Sequence, residues 1–159
     1  MAIATPGRHA AAAELLPDVL ARRGEAWVRE ASTSMTPIIR PGDRLLLRAL
    51  VGEPPPGAVL AYRAPDRWMV HRLVARDGRH LLLKGDGADS AERVRPDDVR
   101  ARVVAVRRPS GRTTRFDRFP WPWVEPFLAR ASRRSASASG RLRRAAWRLV
   151  FRFAGWIPS

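Results

Sequence analysis

The rhythm of hydrophobic and polar positions changes three times along this chain. From residue 10 to 23, "AAAAELLPDVLARR" gathers its apolar residues on one helical face, which predicts a short amphipathic helix. After Gly24 the pattern shortens into β-compatible runs: "EAWVREA" (25–31), "RLLLRAL" (44–50), "AVLAYR" (58–63), "RWMVHRLVAR" (67–76), "HLLLK" (80–84) and "VRARVVAVRR" (99–108). "VGEPPPG" (51–57) separates the second run from the third, since prolines cannot continue a hydrogen-bonded ladder. "DGR" (77–79) is a short hairpin connection, and "GDGADSAERVRPDD" (85–98) reads as a loop. Strands this short and this closely spaced predict a mainly β, compact antiparallel domain over 25–109, preceded by a helical segment over 1–24.

The pattern is lost again beyond Pro109. Residues 110–140 read as a Pro/aromatic segment followed by a Ser/Ala linker, "SRRSASASG" at 132–140. A second helical rhythm then appears in 141–159. Arg141, Arg144, Arg148 and Arg152 share one face, with Leu142, Ala146, Leu149, Val150 and Phe153 on the other. Trp147, Phe151 and Trp156 add the bulky aromatics that suit a membrane interface.

Charge gives that tail a partner. The 159 residues carry a net charge of +15, and Lys84 is the only lysine among 30 basic residues. Residues 111–159 hold eleven arginines against Asp117 and Glu125, a net of +9. So basic a tail points to an anionic surface, with Arg144, Trp147, Arg148, Arg152, Phe153 and Trp156 as the membrane-binding candidates. No nucleic-acid motif is present, so nucleic acid is not the expected partner. Glu14, Pro17 and Asp18 interrupt any apolar leader, and no window supports a spanning helix. A peripheral membrane or cytoplasmic location is therefore expected. With no cysteine, and with only His9, His71 and His80 as histidines, neither a metal nor another cofactor is expected.

The chemistry concentrates in "ASTSMTPIIRPGD" (31–43), a polar and constrained loop at the mouth of a strand. A serine hydroxyl becomes a useful nucleophile only when a base takes its proton and donors receive the developing oxyanion. Ser34 sits in a loop stiffened by Pro37 and Pro41, with Met35 available as a buried anchor. His71 lies mid-strand on the face it shares with Met69 and Leu73, and its ordinary pKa suits proton transfer near neutrality.

"STSMTPIIRPGD", "PGAVLAYR", "VHRLVARDG", "LLLKGDG" and "VRARVVAV" occur in the order and spacing of type I signal peptidases, and residues 26–108 resemble that family. The resemblance implies that Ser34 is the nucleophile and that Ser32 joins the Ser34 backbone in the oxyanion hole. The position that holds a lysine base in the main bacterial branch is His71. This is similar to the archaeal and endoplasmic-reticulum branch, which pairs serine with histidine and an acid. Asp86 matches the first aspartate of that branch. The second, six residues on, is replaced by Glu92, and Asp89 lies nearby, so Glu92 and Asp89 stand as alternative acids. The family activity implied is serine endopeptidase action on an extended precursor or leader peptide. The rival reading is a non-catalytic β module that binds a membrane surface or nucleic acid through its basic tail.

Overall fold

Each apolar run becomes a strand because a neighbouring strand and a covering layer bury its side chains. The computed structural model describes residues 7–65 and 67–135. It contains helix α1 (Gly7–Arg23) and strands β1 (Glu25–Arg29), β2 (Arg44–Ala49), β3 (Val59–Arg63), β4 (Trp68–Asp77), β5 (His80–Lys84) and β6 (Ala91–Val94). A single 3-10 turn (Pro96–Asp98) leads into β7 (Val99–Arg107), followed by β8 (Thr113–Arg115) and helix α2 (Trp121–Ser135). The sheet order is β1-β2-β7-β3-β4-β5-β6, with β8 also on β7. Every pairing is antiparallel. The expected mainly β, antiparallel architecture with a short N-terminal helix is what the chain adopts, and a C-terminal helix closes it.

Strand β3 shows how the layers form. Val59 and Ala61 point into one core with Leu45, Leu47, Ala101 and Val103, sealed by Leu16 and Leu20 of α1 and Leu128 of α2. Leu60 and Tyr62, the alternate residues, point into a second core with Leu73, Leu81, Leu83, Val94 and Val99. A strand covered on both faces reads as a continuous apolar run rather than an alternation, which is why "AVLAY" is apolar throughout.

Three elements differ from the expectation. The 85–98 loop contains β6, whose Ala91, Glu92 and Arg93 are exposed and only Val94 buried. This edge strand has almost no apolar face to announce it, but it pairs with β5 from Leu81↔Val94 to Lys84↔Ala91. Strand β8, "TTR", is too short for any period to be read. The largest difference is α2, which begins inside the Pro/aromatic segment and runs into the stretch read as linker. Its buried or half-buried positions Trp121, Val124, Glu125, Leu128, Ala129 and Ser132 make a proper helical stripe. Pro122 lies in the first turn, where a missing N–H costs nothing, and only Pro126 interrupts the ladder. Tertiary packing overrides that penalty. Gly57 lets the α2 backbone close in, since a Cβ there would stand 2.1 Å from the Glu125 carbonyl oxygen. The predicted tail helix at 141–157 lies outside the described residues, as do its membrane-binding candidates Arg144, Trp147, Arg148, Arg152, Phe153 and Trp156.

Candidate functional site

The polar loop between β1 and β2 is held at its neck and from below. Glu30 N–H donates to the Asp43 carbonyl and Gly42 N–H to the Glu30 carbonyl, both at 2.8 Å. Asp43 is almost fully buried; its carboxylate accepts from Arg40 N–H at 2.8 Å and from the Arg108 guanidinium. Arg108 also donates to the Ile38 carbonyl at 2.7 Å. Met35 and Ile39 are fully buried and Ile38 nearly so, which pins the loop to the first core. Above these anchors stand the exposed Ser32 and the half-buried Ser34, their hydroxyls 3.1 Å apart. Ser32 N–H donates to the Glu30 carboxylate at 2.6 Å.

A second segment reaches the loop from the far end of β5. Gly87 N–H donates to the Ser34 carbonyl at 2.8 Å. A Cβ on Gly85 would lie only 2.5 Å from that same oxygen, so no other residue fits without moving the backbone of Ser34. Both glycines of the "KGDG" run thus lie against the serine loop, since a Cβ on Gly87 would stand 3.0 Å from the Thr36 carbonyl oxygen and 3.3 Å from that of Ser34.

His71 stands on β4 opposite Leu60 of β3, on the face of the second core. It is 3% exposed. Its Nδ1 is 3.0 Å from the Tyr62 hydroxyl, which donates to Glu92 Oε2 at 2.6 Å. Glu92 Oε1 is 3.9 Å from Nδ1, too far for a direct hydrogen bond. Nε2 is buried and makes no hydrogen bond. Burial lowers the His71 pKa below its ordinary value, opposed by the charges of Glu92, Asp86 and Glu30. Since Glu30 also binds Ser32 N–H, the imidazole and the serine loop feel the same carboxylate. Ser34 and His71 share no hydrogen bond.

Asp86 faces the other way. Arg72 Nε and a terminal nitrogen donate to its two oxygens at 2.8 Å each, in a bidentate pair with side chains 1% and 0% exposed. The remaining Arg72 nitrogen donates to the Gly57 carbonyl at 2.8 Å. Burial works against the Arg72 charge, but Asp86 outweighs it and raises the guanidinium pKa above its ordinary value. Lys84, also fully buried, donates to the Gly85 carbonyl at 3.3 Å and approaches Ser132 of α2 at 3.5 Å. Asp89 is exposed on the β5–β6 loop.

The structure therefore joins Ser32 to Ser34, and His71 to Glu92 through Tyr62, while Asp86 engages Arg72. Tyr62 and Arg72 escaped the sequence reading. A hairpin register would have found the first: with Arg63 opposite Trp68, Tyr62 falls opposite Met69 and diagonal to His71.

These features define an antiparallel β protein with a paired-serine loop and a buried, carboxylate-linked histidine. Compared with known proteins, the chain matches no family model, no curated protein and no solved structure. Among the described residues, no helix is long and apolar enough to cross a membrane.

Proposed function

We propose that the protein is a serine endopeptidase of signal-peptidase-like type, acting on an extended precursor or leader peptide. The observation that carries this reading is a buried histidine whose Nδ1 is hydrogen-bonded toward a carboxylate while Nε2 makes no bond, and which shares the influence of Glu30 with a loop that presents two serine hydroxyls.

In this reading Ser34 Oγ attacks the scissile carbonyl and its proton passes to His71 Nε2. The carbonyl oxygen becomes an oxyanion that receives hydrogen bonds from the Ser32 hydroxyl and the Ser34 N–H. Collapse of the tetrahedral adduct breaks the C–N bond, and the leaving amine takes the proton from Nε2. Water then adds to the acyl-serine, giving a proton to Nε2; collapse of this second adduct breaks the C–Oγ bond, Nε2 returns the proton to Ser34 Oγ, and the new C-terminal acid leaves. The 3.1 Å contact between the Ser32 and Ser34 hydroxyls supports this pairing of donor and attacking atom. The substrate would lie as an added strand, its backbone paired to a sheet edge. Peripheral binding to an anionic membrane through residues 141–159 would bring the site to membrane-borne precursors.

A fluorophosphonate probe tests the reading. The full-length protein is expected to label at a single residue, and Ser34→Ala to abolish labelling while leaving the melting curve intact. Labelling of Ser34→Ala at the wild-type rate, or none of the wild type, leaves the non-catalytic β module as the better account.

A further inference from the structure

Tyr62 is the only tyrosine in the chain and is 2% exposed on an apolar face. A buried phenol needs partners for its hydroxyl, and this one has two. The hydroxyl donates its single proton to Glu92 Oε2 at 2.6 Å. The phenol oxygen is then left to accept at 3.0 Å from His71, which requires the proton on Nδ1 and leaves Nε2 bare. That is the tautomer a general base needs.

We propose that Tyr62 is a positioning residue that couples Glu92 to His71, so that the acid of this site acts through a phenol rather than by touching the imidazole. The proposal rests on the serine-peptidase reading for its catalytic consequence. Two distances support it: Glu92 is 3.9 Å from Nδ1, while Asp86 has both oxygens engaged by Arg72 at 2.8 Å. When Nε2 takes the Ser34 proton, the Nδ1–H bond becomes charge-assisted and strengthens. The hydroxyl accepts it more readily because its own proton is drawn toward Glu92. Tyr62 keeps that proton throughout, since burial and the adjacent carboxylate push its pKa well above the ordinary value. What is relayed is orientation and charge stabilisation, not a proton.

The test measures the rate of fluorophosphonate labelling from pH 5 to 9 in full-length wild type, Tyr62→Phe and Glu92→Gln. Tyr62→Phe removes one oxygen and is expected to lower the plateau rate about 10–100-fold. In both variants the half-point of the profile should move to lower pH, because the imidazolium has lost support. Asp86, Glu30 and Lys84, whose charges also act on His71, are unchanged in both. Nitrogen-15 spectra, assigned with His71→Gln, should show the Nδ1–H form in wild type and mixed tautomers in Tyr62→Phe. Wild-type rate, half-point and tautomer in Tyr62→Phe would overturn the coupling. Glu92 is half-exposed, so Glu92→Gln leaves the fold standing if Tyr62→Phe does not, and an unmoved half-point there counts equally against it. Absence of wild-type labelling sinks the peptidase reading instead, and the tautomer then decides the coupling alone.

Discussion

His71 and Arg72 are neighbours on one strand, and the pleat sends them to opposite faces of the sheet. Each meets a carboxylate, and the two meetings differ in kind. Arg72 and Asp86 saturate one another: two parallel hydrogen bonds, both side chains sealed, and the third guanidinium nitrogen closed by the Gly57 carbonyl. His71 and Glu92 stand apart, with a phenol between them, the carboxylate half-exposed and one ring nitrogen without a hydrogen bond. A saturated pair has no capacity left to exchange a proton, so its role is to hold β4, the β5–β6 turn and Gly57 in register. An incompletely satisfied one keeps that capacity. The position of a carboxylate in a Gly-Asp motif does not reveal which kind it is; the partners do.

Breaking each side should separate stability from chemistry. Asp86→Asn leaves the Arg72 charge buried without compensation and is expected to cost about 3–5 kcal/mol in urea unfolding. The double variant Arg72→Met, Asp86→Leu should regain most of that loss, because two desolvated charges are removed together. Glu92→Ala removes one hydrogen bond from the buried Tyr62 hydroxyl and is expected to cost less, about 1–2 kcal/mol, yet to slow probe labelling. If Asp86→Asn unfolds like wild type and Glu92→Ala does not, the comparison is inverted.

A smaller effect is expected at the meeting of the two segments. Gly85→Ala places a methyl group against the Ser34 carbonyl, where the contact would be 2.5 Å. Relieving it should cost about 1–3 kcal/mol. Labelling should fall further than this loss explains, because the displaced backbone carries the proposed nucleophile. Equal labelling by Gly85→Ala and wild type would show that the loop is not positioned from β5.

The smallest expected effect is a pH dependence. His71 has a folded pKa below its unfolded value of 6.5, so the folded protein binds fewer protons than the unfolded chain in the window between them. Stability is therefore complete above about pH 6.5 and falls as the pH drops through that window, by up to about 1.4 kcal/mol per unit. The loss of melting temperature between pH 7.5 and 5.5 should be smaller in His71→Gln than in wild type. An equal loss would mean that His71 is protonated alike in both states.

Much of this was legible beforehand because the relevant signals are local. The runs at 44–50, 80–84 and 99–108 became β2, β5 and β7 with ends within one residue. The polar loop and the strand histidine were visible as residue types in context. What stayed hidden depends on partners distant in the chain. Strand β6 is recognisable by its pairing with β5, and α2 is helical despite Pro126 because its stripe has a sheet to cover. The engagement of Asp86 needed Arg72, fourteen residues earlier on β4. The involvement of Tyr62 needed the β3–β4 register, which no single run contains.

The clasp of Gly85 and Gly87 on the Ser34 carbonyl also has a consequence for a chain emerging from the ribosome. Ser34 is synthesised some fifty residues before the glycines that seat it. Until the β5–β6 turn has been made the loop lacks its upper support, and until β7 has been made β2 and β3 lack the strand that joins them. A nascent chain therefore carries its serine in an unassembled setting, and the proposed activity arrives only with the segment that completes the sheet. For an enzyme that would cut extended polypeptide, this ordering protects the growing chain from itself.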